Sequence, residues 1–128
     1  MITRSAHEMS SAMAAGEITS EKLAQEHLDR ISAVDKEVHA FLYVDRDGAL
    51  AQARAVAAAR ARGEKVGPLA GVPLALKDII VQKDIVTTAG SKILEGWRPP
   101  YDATIVTKMK AAGIVILGKT NCDEFAMG

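Results

Sequence analysis

Two short apolar stretches in the second half of the chain constrain the fold more than any other feature. Residues 114–117 read Ile-Val-Ile-Leu, and residues 72–76 read Val-Pro-Leu-Ala-Leu. A continuous apolar run of this length is typical of a strand covered by helices on both faces. The proline lies near the start of its strand, where the missing N–H donor does least harm. We therefore expect an α/β layer fold with a mixed, largely parallel sheet flanked by helices.

The first half of the chain is predicted to be mainly helical. A first helix is expected over residues 7–15, and a second begins after Thr19, a favourable N-cap residue. A short strand is predicted over residues 39–44, followed by a third helix that Asp47 caps and that ends at Arg62. The second helix carries one apolar stripe at helical spacing, formed by Leu23, Ala24, His27, Leu28, Ile31 and Val34.

The second half combines strands, helices and an irregular stretch. Residues 87–100 are predicted to be irregular, with at most a short helix over 91–95. A further helix is expected from its cap at Asp102 to Gly113. Residues 123–128 follow a strand and are predicted to begin another element.

Composition limits the chain to one globular unit. The 128 residues are 48% hydrophobic and 25% charged, which argues against disorder. We expect a single domain portion, helical over 1–66 and β/α over 67–128, that continues beyond Gly128, because so few strands cannot close a sheet. We also expect a chain of this length to be poorly stable alone, because an edge of its sheet is unpaired.

Charge and apolar patterning exclude several classes of function. The 16 basic and 16 acidic residues balance and form no basic stripe, so the segment is a poor nucleic-acid binder by itself. No apolar run approaches the roughly 20 residues of a membrane helix, and we expect no membrane partner. The single cysteine, Cys122, cannot form an internal disulfide, which favours a reducing compartment such as the cytoplasm.

Residues 113–120, Gly-Ile-Val-Ile-Leu-Gly-Lys-Thr, match the phosphate-loop pattern GxxxxGK[ST]. That motif requires its four middle residues to form a loop with backbone donors turned inward on phosphate. Here those residues are the predicted apolar strand, whose donors belong to the sheet. Two acidic residues, Asp123 and Glu124, also follow the pattern at the place that a bound anion would occupy. We therefore reject a nucleotide-binding loop.

Other single residues indicate no metal site. His7, His27 and His39 are too scattered for metal-ligand spacing, and Cys122 has no cysteine partner. Asp123 and Glu124 are adjacent in sequence, which favours a charge role in a first helical turn over a paired-carboxylate site. We expect no metal in this segment.

Lys77 is the candidate catalytic residue. It ends the apolar strand at 72–76, and the carboxyl ends of strands are where α/β folds place their sites. A lysine acts as a base only when it is neutral, which at pH 7 requires a pKa lowered by roughly three units. Burial beside an apolar strand lowers a lysine pKa, and such a lysine can activate a serine. The alternative interpretation is a lysine that reaches into solvent.

Three segments resemble the amidase signature family, and within it the glutaminase subunits of tRNA-dependent amidotransferases. Residues 67–78 read Gly-Pro-Leu-Ala-Gly-Val-Pro-Leu-Ala-Leu-Lys-Asp and are similar to the family's lysine segment. Residues 91–104 and 118–128 are more particular to the tRNA-dependent subunits. The resemblance extends over nearly the whole chain.

The resemblance implies a Ser-cisSer-Lys mechanism. Lys77 matches the lysine that acts through the middle serine on the nucleophile. Met127 and Gly128 match a segment that approaches the substrate pocket. The two serines belong to a Gly/Ser-rich signature that would follow Gly128, and Ser91 lies in the wrong motif to replace them. The segment alone is therefore expected to be inactive.

The resemblance also implies an activity and partners. The full protein would hydrolyse glutamine and supply ammonia for converting Glu-tRNA(Gln) to Gln-tRNA(Gln), in a heterotrimeric complex with the B and C subunits of such enzymes. ATP and Mg would bind one of these partners, and this segment would bind no cofactor. Two alternatives remain open: a free-standing hydrolase of small amides from the same family, and a non-catalytic interaction module.

Overall fold

The computed structural model describes all residues from 1 to 128. Its helices and strands follow in the order α1 (Ala6–Ala14), α2 (Ser20–Val38), β1 (Phe41–Val44), α3 (Arg46–Ala61), β2 (Pro73–Lys77), α4 (Thr104–Ala111) and β3 (Val115–Thr120). Short 3₁₀ helices cover Lys92–Leu94 and Glu124–Ala126. None of the helices combines the length and the apolar character that a membrane crossing requires.

The three strands form one mixed sheet in the order β1-β3-β2. The central strand β3 is parallel to β2 and antiparallel to β1. The predicted α/β class with a mixed sheet flanked by helices is confirmed, and one of the two pairings is parallel. Because β3 spans residues 115–120, the backbone of the apparent phosphate loop belongs to the sheet, which confirms that the motif is not a nucleotide loop.

Both faces of β3 are covered, which explains its continuous apolar run. Val115 and Leu117 pack on one face against α2 and α3, while Ile116 packs on the other face with Leu76 and Val106 of α4. The α2–α3 side of the core consists of small and medium side chains: Ala24, Leu28, Ala49 and Ala53. These alanines allow the two helices to lie close to each other and to the sheet.

The strand β2 is less buried than its sequence predicts. Ala75 and Lys77 are exposed, and Leu76 alone in this strand is fully covered. The prediction of a strand buried on both faces is therefore wrong for residues 1–128. The reason is that β2 is an edge strand here, paired only with β3.

Thr19 caps α2 as predicted, and its hydroxyl oxygen accepts the N–H of Lys22 at 3.1 Å. The other two predicted caps are wrong. Asp45 caps α3 in place of Asp47, because β1 ends at Val44 and leads into the helix without a loop. The N-cap of α4 is Ala103, which makes no side-chain cap bond.

Asp102 was predicted to cap α4, but in the structure it joins two separate segments of the chain. Its carboxylate accepts the backbone N–H of Lys83 at 2.6 Å and the ammonium of Lys110 at 2.7 Å. His39 ends α2 in a left-handed conformation with φ 55°, so the strand expected from residue 39 begins at Phe41. The irregular stretch with a short helix near 91–95 is confirmed.

Gly118 provides a test of how tightly β1 and β3 approach each other. A Cβ atom at this position would overlap the carbonyl oxygen of Tyr43 and lie 2.9 Å from the Cα of Val44. We expect Gly118→Ala to lower the free energy of unfolding by about 1–3 kcal/mol, because the overlap is with backbone that cannot rotate away. Urea denaturation of the purified protein measures this change.

Gly67→Ala is the matched control. The nearest atom to its added Cβ would be the carbonyl oxygen of Ala112 at 3.8 Å, an ordinary van der Waals distance. We expect this control to stay within about 0.5 kcal/mol of the parent protein. Equal effects of the two substitutions would show that the strand contact is not tight.

Candidate active site

The carboxyl ends of the parallel strands β2 and β3 lie together and carry the candidate site. Lys77 is the register partner of Thr120, and Leu76 is the partner of Lys119. The backbone N–H of Asp78 continues the ladder by donating to the carbonyl of Thr120 at 3.0 Å. Sites in α/β folds occur at this edge of the sheet because the loops leaving the strands converge there.

Lys77 lies at this edge, as predicted, but its surroundings differ from the prediction. Its side chain is exposed and makes no ion pair or side-chain hydrogen bond. The expected burial beside an apolar strand is therefore not seen within residues 1–128. Lys77 shares with Ala75 the face of β2 that is left exposed, whereas Leu76 points to the face that α4 covers.

A buried ion pair lies immediately beside Lys77. The Lys119 ammonium donates to Asp78 Oδ1 at 3.1 Å and to the Thr87 hydroxyl at 2.9 Å. Both charged side chains are almost fully removed from solvent, at 0% and 1% exposure. The pair joins the last residues of β3 to the residue that follows β2.

The second carboxylate oxygen of Asp78 organises the loop after residue 86. Asp78 Oδ2 accepts the backbone N–H of Thr88 at 2.9 Å, the Thr88 hydroxyl at 2.6 Å and the N–H of Gly90 at 3.4 Å. Four donors thus surround one carboxylate, which is about its full capacity. Removal from water lowers the pKa of Lys119, and the hydrogen bond and charge of Asp78 oppose that shift only in part.

The sequence interpretation did not identify Lys119 or Asp78 as residues of the site. Lys119 lies in the rejected phosphate-loop pattern, just beyond the apolar run 114–117, and the structure places it inside β3. A lysine within a central apolar strand is the signal that could have identified it, because a buried ammonium requires a partner. That partner lies 41 positions earlier in the chain.

The candidate substrate-binding residues, Met127 and Gly128, belong to residues 124–128, here called the substrate segment, which lies close to the same loop. The N–H of Phe125 donates to the carbonyl of Ala89 at 2.8 Å, and the buried Ser91 hydroxyl donates to Glu124 Oε1 at 2.6 Å. Met127 is 81% exposed, and Gly128 lies against the Asp123 carboxylate. Residues 124–126 form one 3₁₀ turn with Glu124 in its first turn, as predicted, and the Glu124 carboxylate also accepts the hydrogen bond from Ser91.

The remaining candidates lie on separate elements. His7 is on α1, His27 is on α2 with its Nδ1 2.8 Å from the carbonyl of Leu23, and His39 follows α2. The thiol of Cys122 is free and partly buried. A cavity of about 470 Å³ lies between α1, α2 and α3, and neither Lys77 nor Met127 lines it.

Residues 22–128 match the sequence model of the Amidase family. Because this match covers most of the residues, the chain belongs to the amidase signature family. The candidate site at the carboxyl ends of β2 and β3 thus lies on the edge that carries Lys77 in an amidase-type fold.

The curated relatives include the A subunit of the glutamyl-tRNA(Gln) amidotransferase of Streptomyces avermitilis, which is 65% identical over all 128 residues. The chain spans 26% of the length of that relative. Among solved structures, the native peptide amidase of Stenotrophomonas maltophilia has a TM-score of 0.88 at 39% identity, covering 94% of this chain and 25% of the amidase.

A second solved structure gives a similar result. It is an inhibitor-bound vestigial protein complex connected with the origins of an s-triazine catabolic enzyme. Its TM-score is 0.90 at 40% identity, with 94% of this chain and 27% of that chain covered. The chain thus spans about a quarter of the length of the proteins it resembles.

The ion pair can be tested by a double-mutant cycle on Asp78→Asn and Lys119→Met. Each single substitution leaves one buried partner without its counter-charge, and we expect each to cost about 3–5 kcal/mol of unfolding free energy. The double variant should cost at least about 1 kcal/mol less than the sum. Chemical denaturation of all four proteins gives the coupling energy.

The partly exposed pair between Asp102 and Lys110 is the matched control. Their side chains are 19% and 41% exposed, and solvent screens the interaction. The same cycle on Asp102→Asn and Lys110→Met should give a coupling of at most about 1 kcal/mol. Additive effects at Asp78 and Lys119 would contradict the geometry described above.

Proposed function

We propose that these residues form the amino-terminal portion of the glutaminase subunit of a tRNA-dependent amidotransferase. The observation that carries the proposal is the 65% identity, over every residue of the chain, to the A subunit of a glutamyl-tRNA(Gln) amidotransferase. The two solved structures described above are 39–40% identical to this chain, well below that value. Residues 1–128 would constitute one part of a single amidase domain.

In this proposal Lys77 is the base of a Ser-cisSer-Lys triad. The neutral amine takes a proton from the middle serine, which in turn takes the proton of the nucleophilic serine. The nucleophile's oxygen attacks the side-chain amide carbon of glutamine, and the proton held by the lysine returns through the middle serine to the amide nitrogen, so that ammonia leaves as the acyl-enzyme forms. Water then releases glutamate. Both serines would lie outside residues 1–128.

The remaining residues of the edge have supporting roles in the proposal. Met127 and Gly128 would border the substrate pocket, which agrees with the connection between segment 124–128 and the loop beside Lys77. Ammonia would pass to a site where Glu-tRNA(Gln) is amidated. The B and C subunits would complete a cytoplasmic complex, with ATP and Mg bound on a partner and no cofactor on this segment.

We expect Lys77→Ala in the intact complex to reduce glutamine hydrolysis by at least about 10³-fold, because the nucleophile loses its base. Lys77→Arg should not restore activity, since a guanidinium stays protonated in proteins. Ammonia release from glutamine is the measurement. Lys108→Ala, on the exposed side of α4, is the control and should retain full activity.

The acceptor decides between the proposal and a free-standing amide hydrolase. A tRNA-dependent enzyme should convert Glu-tRNA(Gln) to Gln-tRNA(Gln) when ATP and glutamine are present. Hydrolysis of simple amides with no effect of tRNA, ATP or the partner subunits would favour the free-standing hydrolase. Full activity of Lys77→Ala would contradict both.

Residues 1–128 expressed alone should show no glutaminase activity, because the proposed serines are not among them. The assay is ammonia release at high protein concentration, with the intact complex as a positive control. Turnover above background that disappears in Lys77→Ala would mean that the nucleophile lies within these residues. Binding of a partner protein without turnover would favour the interaction module.

A further inference from the structure

The loop Thr88–Ser91 touches both the strand that carries Lys77 and the segment that carries Met127 and Gly128. We call it the bridging loop. On the β2 side it is bound through Asp78, whose carboxylate accepts both donors of Thr88 and whose carbonyl accepts the N–H of Ala89 at 3.2 Å. The Lys119 ammonium donates to the other oxygen of that carboxylate at 3.1 Å.

The other side of the bridging loop holds the segment 124–128. Ser91 is 4% exposed, and its hydroxyl donates to Glu124 Oε1 at 2.6 Å across 33 positions of sequence. The Ala89 carbonyl accepts the N–H of Phe125 at 2.8 Å. A charged acceptor makes the Ser91 bond one of the stronger kinds of hydrogen bond.

The bridging loop keeps an unusual backbone conformation. Ala89 has φ 52° and Gly90 has φ 67°, both in the left-handed region. A Cβ atom at Gly90 would lie 2.6 Å from the carbonyl oxygen of Cys122. An alanine persists in this region only when its surroundings fix it, and here hydrogen bonds on both sides do so.

We propose that the bridging loop is a positioning element that sets the distance between Lys77 and the substrate segment 124–128. This inference rests on the proposed function, because it assigns the loop a task in that reaction. The loop itself does not touch the reacting atoms. Thr88 acts through Asp78 on the end of β2, and Ser91 acts through Glu124 on the substrate segment.

The two sides of the loop should have separable kinetic effects. Loss of the Thr88 hydroxyl loosens the strand end that bears the base, which affects the chemical step. Loss of the Ser91 hydroxyl loosens the segment at the pocket, which affects substrate binding. A residue important only for stability would lower the folded fraction, and would leave both the KM for glutamine and the kcat per folded molecule unchanged.

The experiment measures kcat and KM for glutamine in the intact complex. We expect Thr88→Val to lower kcat about tenfold with KM within about twofold, and Ser91→Ala to raise KM about tenfold with kcat within about twofold. Thr88→Ser keeps the donor and should recover at least about a third of the parent kcat. Thr107→Val, on the exposed side of α4, should change neither constant.

The contact between Ser91 and Glu124 can be tested separately. Glu124→Gln removes the charge at similar size, so it should raise KM in the same direction as Ser91→Ala. The double variant should then resemble the stronger single variant, because both remove one contact. This cycle still tests the loop if Thr88→Val does not fold.

Three results distinguish the outcomes. Unchanged kcat and KM in folded Thr88→Val and Ser91→Ala would overturn the inference, provided that Lys77→Ala is inactive. If both variants lost apparent kcat in proportion to a lower melting temperature, with KM unchanged, the loop would have only a structural role. This result would also overturn the inference. An active Lys77→Ala would refute the proposed function, and the inference with it.

Discussion

The buried pair between Asp78 and Lys119 is the interaction on which the organisation of this edge of the fold depends. It connects β3, the end of β2 and the loop at Thr87–Gly90 at one point. Withdrawing two charges from water is costly, and such a pair persists only where further hydrogen bonds complete it. Here Asp78 accepts hydrogen bonds from three additional donors, and Lys119 donates a second hydrogen bond to the Thr87 hydroxyl oxygen. Because these bonds are directional, they specify one loop conformation, which apolar contacts would not do.

The fold could be predicted from sequence to the extent that burial controls it. The run at 114–117 indicated a strand covered on both faces, and the structure places it at the centre of the sheet. The helix caps were less predictable, because several aspartates can accept the same N–H groups. Asp45 or Asp47 could cap α3, and only the point where β1 ends decides between them. Asp102 was misassigned because its partners, Lys83 and Lys110, are brought to it by tertiary structure.

The candidate site, like the fold, contains residues that could be predicted from the sequence and residues that could not. Lys77 was predictable because its position at a strand end follows from local pattern. The role of Lys119 was not predictable, because it depends on Asp78, 41 positions away in sequence, and on which strand lies at the centre of the sheet. The contact of Ser91 with Glu124 spans 33 positions and has no local signature either. Sequence periodicity reports which residues share a face, whereas a positioning network is defined by pairs of residues that the fold brings together.

The exposure of Lys77 and the burial of Lys119 have a common geometric origin. Adjacent residues of a strand point to opposite faces, and Leu76, the register partner of Lys119, shares the face that α4 covers. Lys77 therefore points to the other face, where Ala75 is also exposed. A general base must spend part of its time neutral, and removal from water favours the neutral amine. In the proposed enzyme that cover must come from residues outside 1–128, which agrees with relatives about four times as long. The ion pair thus fixes the backbone on one face of the sheet. The ability of Lys77 to act as a base depends on which residues cover the other face.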